Sequence, residues 1–202
     1  MLAFLTNLQK KRLKDRNFEF LFDKNENNEM VVFDTETTGL NPKKDEIISI
    51  GAIKIKENKI LMNKKFHIFI KPKEDINEQS IKIHQIRNID IQDAYNIQKG
   101  VESFLHFIGS RPLIGYHLQF DVAMINKYIN PLLGITLPNR QIEVAKLYRK
   151  KRANKALEGF IDLSFDAIMK DLSLPIFGKH DAINDSIMTA MIYIKLKYGK
   201  IE

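Results

Sequence analysis

Asp34 and Glu36 stand two residues apart at the end of a short β-favouring run, Met30-Val31-Val32-Phe33-Asp34. Residues at that spacing on a strand face the same side, so the two carboxylates lie within a few ångströms of each other and repel. A divalent cation relieves that repulsion, and Mg²⁺ or Mn²⁺ prefers oxygen ligands of this kind. Alone, the pair also fits two solvated acids at a strand end. A third carboxylate, Asp121, closes the segment Gly115-Tyr116-His117-Leu118-Gln119-Phe120-Asp121, where a strand leads into a helix. There it either caps free N–H groups or points back over the sheet edge at a metal. A third group, His180-Asp181-Ala182-Ile183-Asn184-Asp185, precedes the last amphipathic segment. Five residues turn a helix by about 500°, leaving the end residues about 140° apart, so His180 and Asp185 cannot share a helical face. His180 is therefore expected on the preceding loop, swung back beside an Asp185 in the first helical turn.

These side chains need elements to hold them. Three strands are expected early, at 30–34, 47–55 and 59–71, the last two joined as a hairpin. In the third, Phe66, Ile68 and Ile70 alternate with Lys65, His67 and Phe69. The period then changes: Ile97, Val101, Phe104, Leu105 and Ile108 recur at helical spacing, so 94–108 reads as an amphipathic helix. A short strand at 112–116 leads into a helix at 120–133, which Pro131 can end early. Segments 163–172 and 182–196 read as two further helices. The order is that of an α/β protein with a mixed central sheet flanked by helices. At 202 residues the chain has room for one domain, expected over 30–202 and preceded by a basic extension, 1–29.

Composition narrows the chemistry. The chain has no Cys, which excludes disulfides, thiolate nucleophiles and Cys-bearing zinc sites. No apolar stretch approaches the ~20 residues that cross a bilayer. The N-terminus runs from apolar to basic, the reverse of a signal peptide, so no membrane association and a cytoplasmic location are expected. The net charge is +7 and unevenly spread. Between Arg140 and Lys155 stand seven cations against one anion, Glu143, and a second cluster comprises Lys10, Lys11, Arg12, Lys14 and Arg16. Such clusters suit a polyanion such as nucleic acid, and equally a solvated lysine-rich surface.

Taken together, the motifs resemble those of the DEDDh 3′–5′ exonucleases, the DnaQ-like branch of the ribonuclease H-like superfamily that includes the epsilon proofreading subunit of bacterial DNA polymerase. Asp34, Glu36, Thr37, Thr38 and Gly39 match D-x-E-T-T-G; Phe120 and Asp121 match F-D; His180 and Asp185 match H-x4-D. The resemblance implies a ribonuclease H-like fold. It implies two divalent ions, Mg²⁺ or Mn²⁺, on Asp34, Glu36, Asp121 and Asp185, with His180 as general base. It also implies release of nucleoside 5′-monophosphates from a 3′ end, with the terminal nucleotide held by Thr37, Leu40, His84, His117 and Phe120. Two departures stand out. Gln85 replaces the usual Gly of I-H-G-I, and Tyr116-His117 stands where H-N is common.

The T-T-G-L turn resembles the epsilon group, which points to DNA 3′ ends, single-stranded or frayed. An exoribonuclease trimming RNA 3′ ends and a catalytically idle nucleic-acid-binding subunit are the alternatives. Asp171-Leu172-Ser173-Leu174-Pro175-Ile176-Phe177 resembles the peptide that binds the bacterial sliding clamp. It occupies the family's L-x-I-P turn, however, and carries Asp171 where the clamp peptide has Gln. Sliding-clamp association is weakly expected on this ground. Polymerase association is too, since the chain stops soon after its last helix, without the epsilon subunit's long C-terminal tail.

Overall fold

The structure, a computed structural model, describes residues 2–153 and 161–200. Three antiparallel strands come first, β1 (Glu29–Thr37), β2 (Ile47–Lys56) and β3 (Lys59–Phe69). Two short parallel strands, β4 (Leu113–Gly115) and β5 (Gln141–Glu143), complete a five-stranded sheet in the order β3-β2-β1-β4-β5. The helices are α1 (Leu2–Arg12), α2 (Glu78–His84), α3 (Ile97–Ile108), α4 (Leu118–Leu133), α5 (Val144–Ala153), α6 (Phe165–Asp171) and α7 (Ala182–Tyr198). Pro131 lies in the last turn of α4 without ending it. Strand β5 and helices α2, α5 and α1 go beyond the sequence reading. The first two are too short for a period to show, and in α5 the buried Val144 and Tyr148 are outnumbered by cations.

The two-residue period of β1 decides which side each acid serves. Val31 and Phe33 pack with Phe104 of α3 and Ile125 of α4 on one face. Val32 packs with Met188 and Ile192 of α7 and Tyr148 of α5 on the other. By alternation Asp34 and Glu36 share the α7 face, and Thr35 shares the α4 face. The start of α7 is brought in by Gly51, which pairs with Asp34 across the β1–β2 ladder. A Cβ on Gly51 would lie 2.2 Å from the Ala182 carbonyl carbon, so only glycine lets the helix sit there. Ser186 donates to the Gly51 carbonyl at 2.9 Å, fixing that contact.

The packed body reaches back at least to Leu13, ahead of the expected boundary at residue 30. Leu13, Phe18 and Leu21 are buried in the same core cluster as Phe104 and Ile129. The Lys14 amide donates to the Leu133 carbonyl at 3.0 Å. These three apolar residues are interleaved with Lys14, Asp15, Arg16, Asn17 and Glu19, so composition averaged over the segment concealed their pattern. The segment resembling a clamp peptide is tied into the fold at its start, while Ile176 and Phe177 at its end are exposed. Asp171 Oδ2 accepts from the Tyr148 hydroxyl and from Arg152 Nε, both at 2.8 Å, and Leu172 is buried. Among the described residues no helix is long and apolar enough to cross a membrane.

Candidate active site

Asp34 and Glu36 emerge from the end of β1 opposite the first turn of α7, which carries Asp185. Each of the three offers a carboxylate oxygen, and these atoms lie within 4.8 Å of one another. His180 sits on the loop before α7 in a left-handed conformation, φ 61°. That bend aims its amide N–H at Asp185 Oδ2, 3.1 Å away, the backward swing expected from the five-residue spacing. Asp181, also before the helix, caps it by accepting from Asn184 N–H at 3.0 Å.

Asp121 stands outside this triplet, and the sheet explains why. The Val31 N–H points toward β4, where it meets the Pro112 carbonyl. Two periods on, the Thr35 N–H points the same way, but β4 pairs only with Val31 and Val32. The orphan donor is satisfied by Asp121 Oδ1 at 3.1 Å, and the Thr35 hydroxyl donates to the same oxygen at 2.6 Å. Asp121 therefore comes from the α4 face, over the end of β4, with one oxygen committed. It lies in the first turn of α4 and is not the helix cap; His117 holds that position.

A cleft of about 870 Å³ opens over Asp34, Glu36, Asp121, His180 and Asp185. Of the residues expected to hold a nucleotide, Leu40, His117 and Phe120 line it, and Leu40 is 86% exposed at its mouth. Thr37 and His84 do not. The Thr37 hydroxyl donates to the Gly39 carbonyl at 2.7 Å, closing the turn that projects Leu40. His84 is buried, its Nδ1 accepting from the Ile86 amide at 3.0 Å, and burial followed by the charge of His180 pushes its imidazole pKa down. Both departures from the family pattern fall on left-handed residues. Gln85 caps α2 at φ 60°, ψ 9°, where glycine is free of strain, and His117 precedes α4 at φ 55°, ψ 30°, where asparagine is well tolerated.

The donor set fits hard divalent cations. All its atoms are carboxylate oxygens, and Asp185 Oδ1 is buried with no hydrogen-bond partner among the described residues. Burial first, then repulsion between the acids, pushes Glu36 up to about 8 and holds Asp34 well above the carboxylate range. Burial also raises Asp121 to about 7 and Asp185 to about 6, against the opposing hydrogen bonds from Thr35 and His180.

The sequence profile of the RNase_T exonuclease family matches residues 31–193. The chain belongs to this family. Among curated relatives, the chain is 30% identical over 170 residues to a DNA polymerase III PolC-type of Thermotoga petrophila. That match covers 84% of this chain and 12% of the polymerase, so the chain spans about an eighth of that relative. It is 29% identical to the DNA polymerase III subunit epsilon of Aquifex aeolicus, covering 84% of this chain and 83% of the subunit. Among solved structures, the zinc-bound E. coli ExoI–ssDNA complex superposes with a TM-score of 0.72 at 15% identity, covering 87% of this chain and 42% of that one. The fold is thus the expected ribonuclease H-like α/β fold.

Sequence reasoning missed two features of the cleft. Tyr116, Leu163 and Phe165 form an apolar wall, with Tyr116 donating to the Leu163 carbonyl at 3.0 Å and its ring 5.1 Å from that of Phe165. Glu143 ties two helix starts together, Oε2 accepting from the Leu118 amide at 2.9 Å and Oε1 from the Ala145 amide at 3.1 Å. The signal for Glu143 was present, since a lone acid directly ahead of a basic helix is placed as an N-terminal cap.

The raised carboxyls predict how metal and pH act on stability. An ordinary carboxyl in the unfolded chain titrates near ~4, so between there and about 8 the folded state binds more protons. The stabilisation from this cluster is complete below that window and is lost as pH rises through 6 to 8. In chelator, the melting temperature is expected to fall from pH 6 to pH 8.5, and added Mg²⁺ or Mn²⁺ to restore it most at the alkaline end. A metal effect independent of pH in a thermal scan would contradict this.

Proposed function

We propose that this exonuclease hydrolyses phosphodiester bonds at DNA 3′ ends, single-stranded or frayed, and releases nucleoside 5′-monophosphates in proofreading or repair. The carrying observation is the Asp34, Glu36 and Asp185 triplet on the floor of a cleft with an apolar, partly aromatic wall. Asp34, Glu36, Asp121 and Asp185 would hold a pair of Mg²⁺ or Mn²⁺ ions, which when bound supply charge neutralisation and polarise the attacking and leaving oxygens. His180 accepts the proton of the attacking water, its loop held to Asp185 through the amide hydrogen bond. Leu40, His117 and Phe120 position the terminal nucleotide. Thr37 and His84 shape the turn and the floor behind it.

The relatives support the DNA reading, both being DNA polymerase III proteins, and a polymerase partner fits the same setting. Matched DNA and RNA oligonucleotides labelled at the 5′ end test it. The expected result is a ladder shortening from the 3′ end, faster on DNA, with 5′-monophosphates as product. Equal or faster turnover of RNA would move the assignment to an exoribonuclease, and binding without shortening under any divalent ion would favour an idle binding subunit.

A further inference from the structure

The fold separates cations that the sequence presents as one block. Arg152 is tied to Asp171, the carboxylate that also receives the Tyr148 hydroxyl, and so joins α5 to α6. Lys146 and Arg149, three residues and about 60° apart around α5, are both exposed and both line the cleft. Lys150 and Lys151 are exposed but do not line it, and Lys151 lies about 140° to 160° round from the other two. Lys155 lies outside the described residues.

The remaining charge of the cleft makes this pair distinctive. Its floor is acidic and repels a phosphate chain. Lys179, the third cation lining it, is held by both oxygens of Asp166 at 2.8 Å. Glu143 is occupied by two backbone amides, and among the described residues neither Lys146 nor Arg149 has a carboxylate in ion-pair range. The apolar wall offers Tyr116 and Phe165 as a stacking surface for bases, which leaves the sugar–phosphate side of a strand to face α5.

We propose that Lys146 and Arg149 form a two-cation track for the backbone phosphates upstream of the scissile bond. The inference rests on the reading that a nucleic-acid 3′ end occupies the acidic floor. It assigns the salt-dependent part of strand binding to these two side chains rather than to the basic run as a whole. Their partner is a single-stranded sugar–phosphate backbone, read without regard to sequence.

The test compares Lys146→Ala/Arg149→Ala with Lys150→Ala/Lys151→Ala, two variants that remove equal charge from the same helix. Binding of a 5′-fluorescent single-stranded oligonucleotide is followed by anisotropy across a salt series, in chelator so that the strand is not consumed. Each lost phosphate contact lowers the slope of log K against log salt by about 0.7 for a single strand, so the first variant is expected to flatten it by about 1.4. The second is expected to keep the parent slope. Equal slopes in the two variants would overturn the track and return the run to a diffuse positive field. The parent enzyme with Mn²⁺ added back reports on the underlying reading separately. Degradation with equal slopes defeats only the track, whereas no degradation removes the reading and the track with it.

Discussion

Asp34→Asn is expected to lower nucleotide release by about 10³-fold while raising the melting temperature of the chelated protein at pH 8. Asparagine matches the carboxyl in shape but cannot supply the charge that holds a cation or that the cation neutralises, which is the largest electrostatic contribution available to the reaction. The same loss removes a repulsive member from a cluster in which burial first, then Asp121, Glu36, Asp185 and Asp181, push Asp34 up. Each pH unit of displacement is worth about 1.4 kcal/mol, and for a chain of this size 1 kcal/mol moves the melting temperature by about 2–4 °C. Opposite signs in the two measurements distinguish a strained functional acid from a structural one, whose removal lowers both. Asp185→Asn should behave likewise, since its Oδ1 is buried without a partner. Wild-type turnover in Asp34→Asn, or a lower melting temperature with intact turnover, would exclude these acids from the chemistry.

How far the site was legible depends on which contacts are local. The Asp34–Glu36 pair follows from the strand period alone, and the His180–Asp185 geometry from the angular arithmetic of a helix start. Both are set within a few residues. Asp121 is different, because its bond to Thr35 depends on the β4 ladder ending at Val32, three residues earlier, a property of the sheet rather than of either segment. The N-terminal packing of Leu13, Phe18 and Leu21 and the bridging of two helices by Glu143 are also long-range, with partners more than 20 residues away. The helix and strand order was legible where periods were long, as in α3 and α7. Among elements of three to seven residues, β4 and α6 were legible, whereas β5 and α2 were not.

Backbone geometry explains the departures from the family pattern better than chemistry does. Gln85 and His117 occupy left-handed positions, where glycine and asparagine are the low-strain choices. A non-glycine residue there costs about 1–2 kcal/mol, which the surrounding fold offsets. Neither replacement removes a donor or acceptor that the carboxylate triplet uses. The departures therefore alter the turn leaving α2 and the entry to α4, leaving the acidic floor as the family pattern has it.

The same geometry governs the second large effect. His180→Asn is expected to lower kcat by about 10²–10⁴-fold, the usual contribution of a general base, while leaving the metal-dependent rise in melting temperature intact. Position 180 has φ 61°, which asparagine tolerates and alanine does not, so the amide hydrogen bond to Asp185 survives and only the imidazole is lost. KM should change little if, as proposed, Leu40, His117 and Phe120 hold the terminal nucleotide. Imidazole added to the buffer should restore part of the rate in the variant and leave the parent enzyme unaffected. A variant that loses metal-dependent stabilisation would instead make His180 a positioning residue for Asp185, acting through the loop. A variant with full turnover would pass the proton-accepting role to solvent.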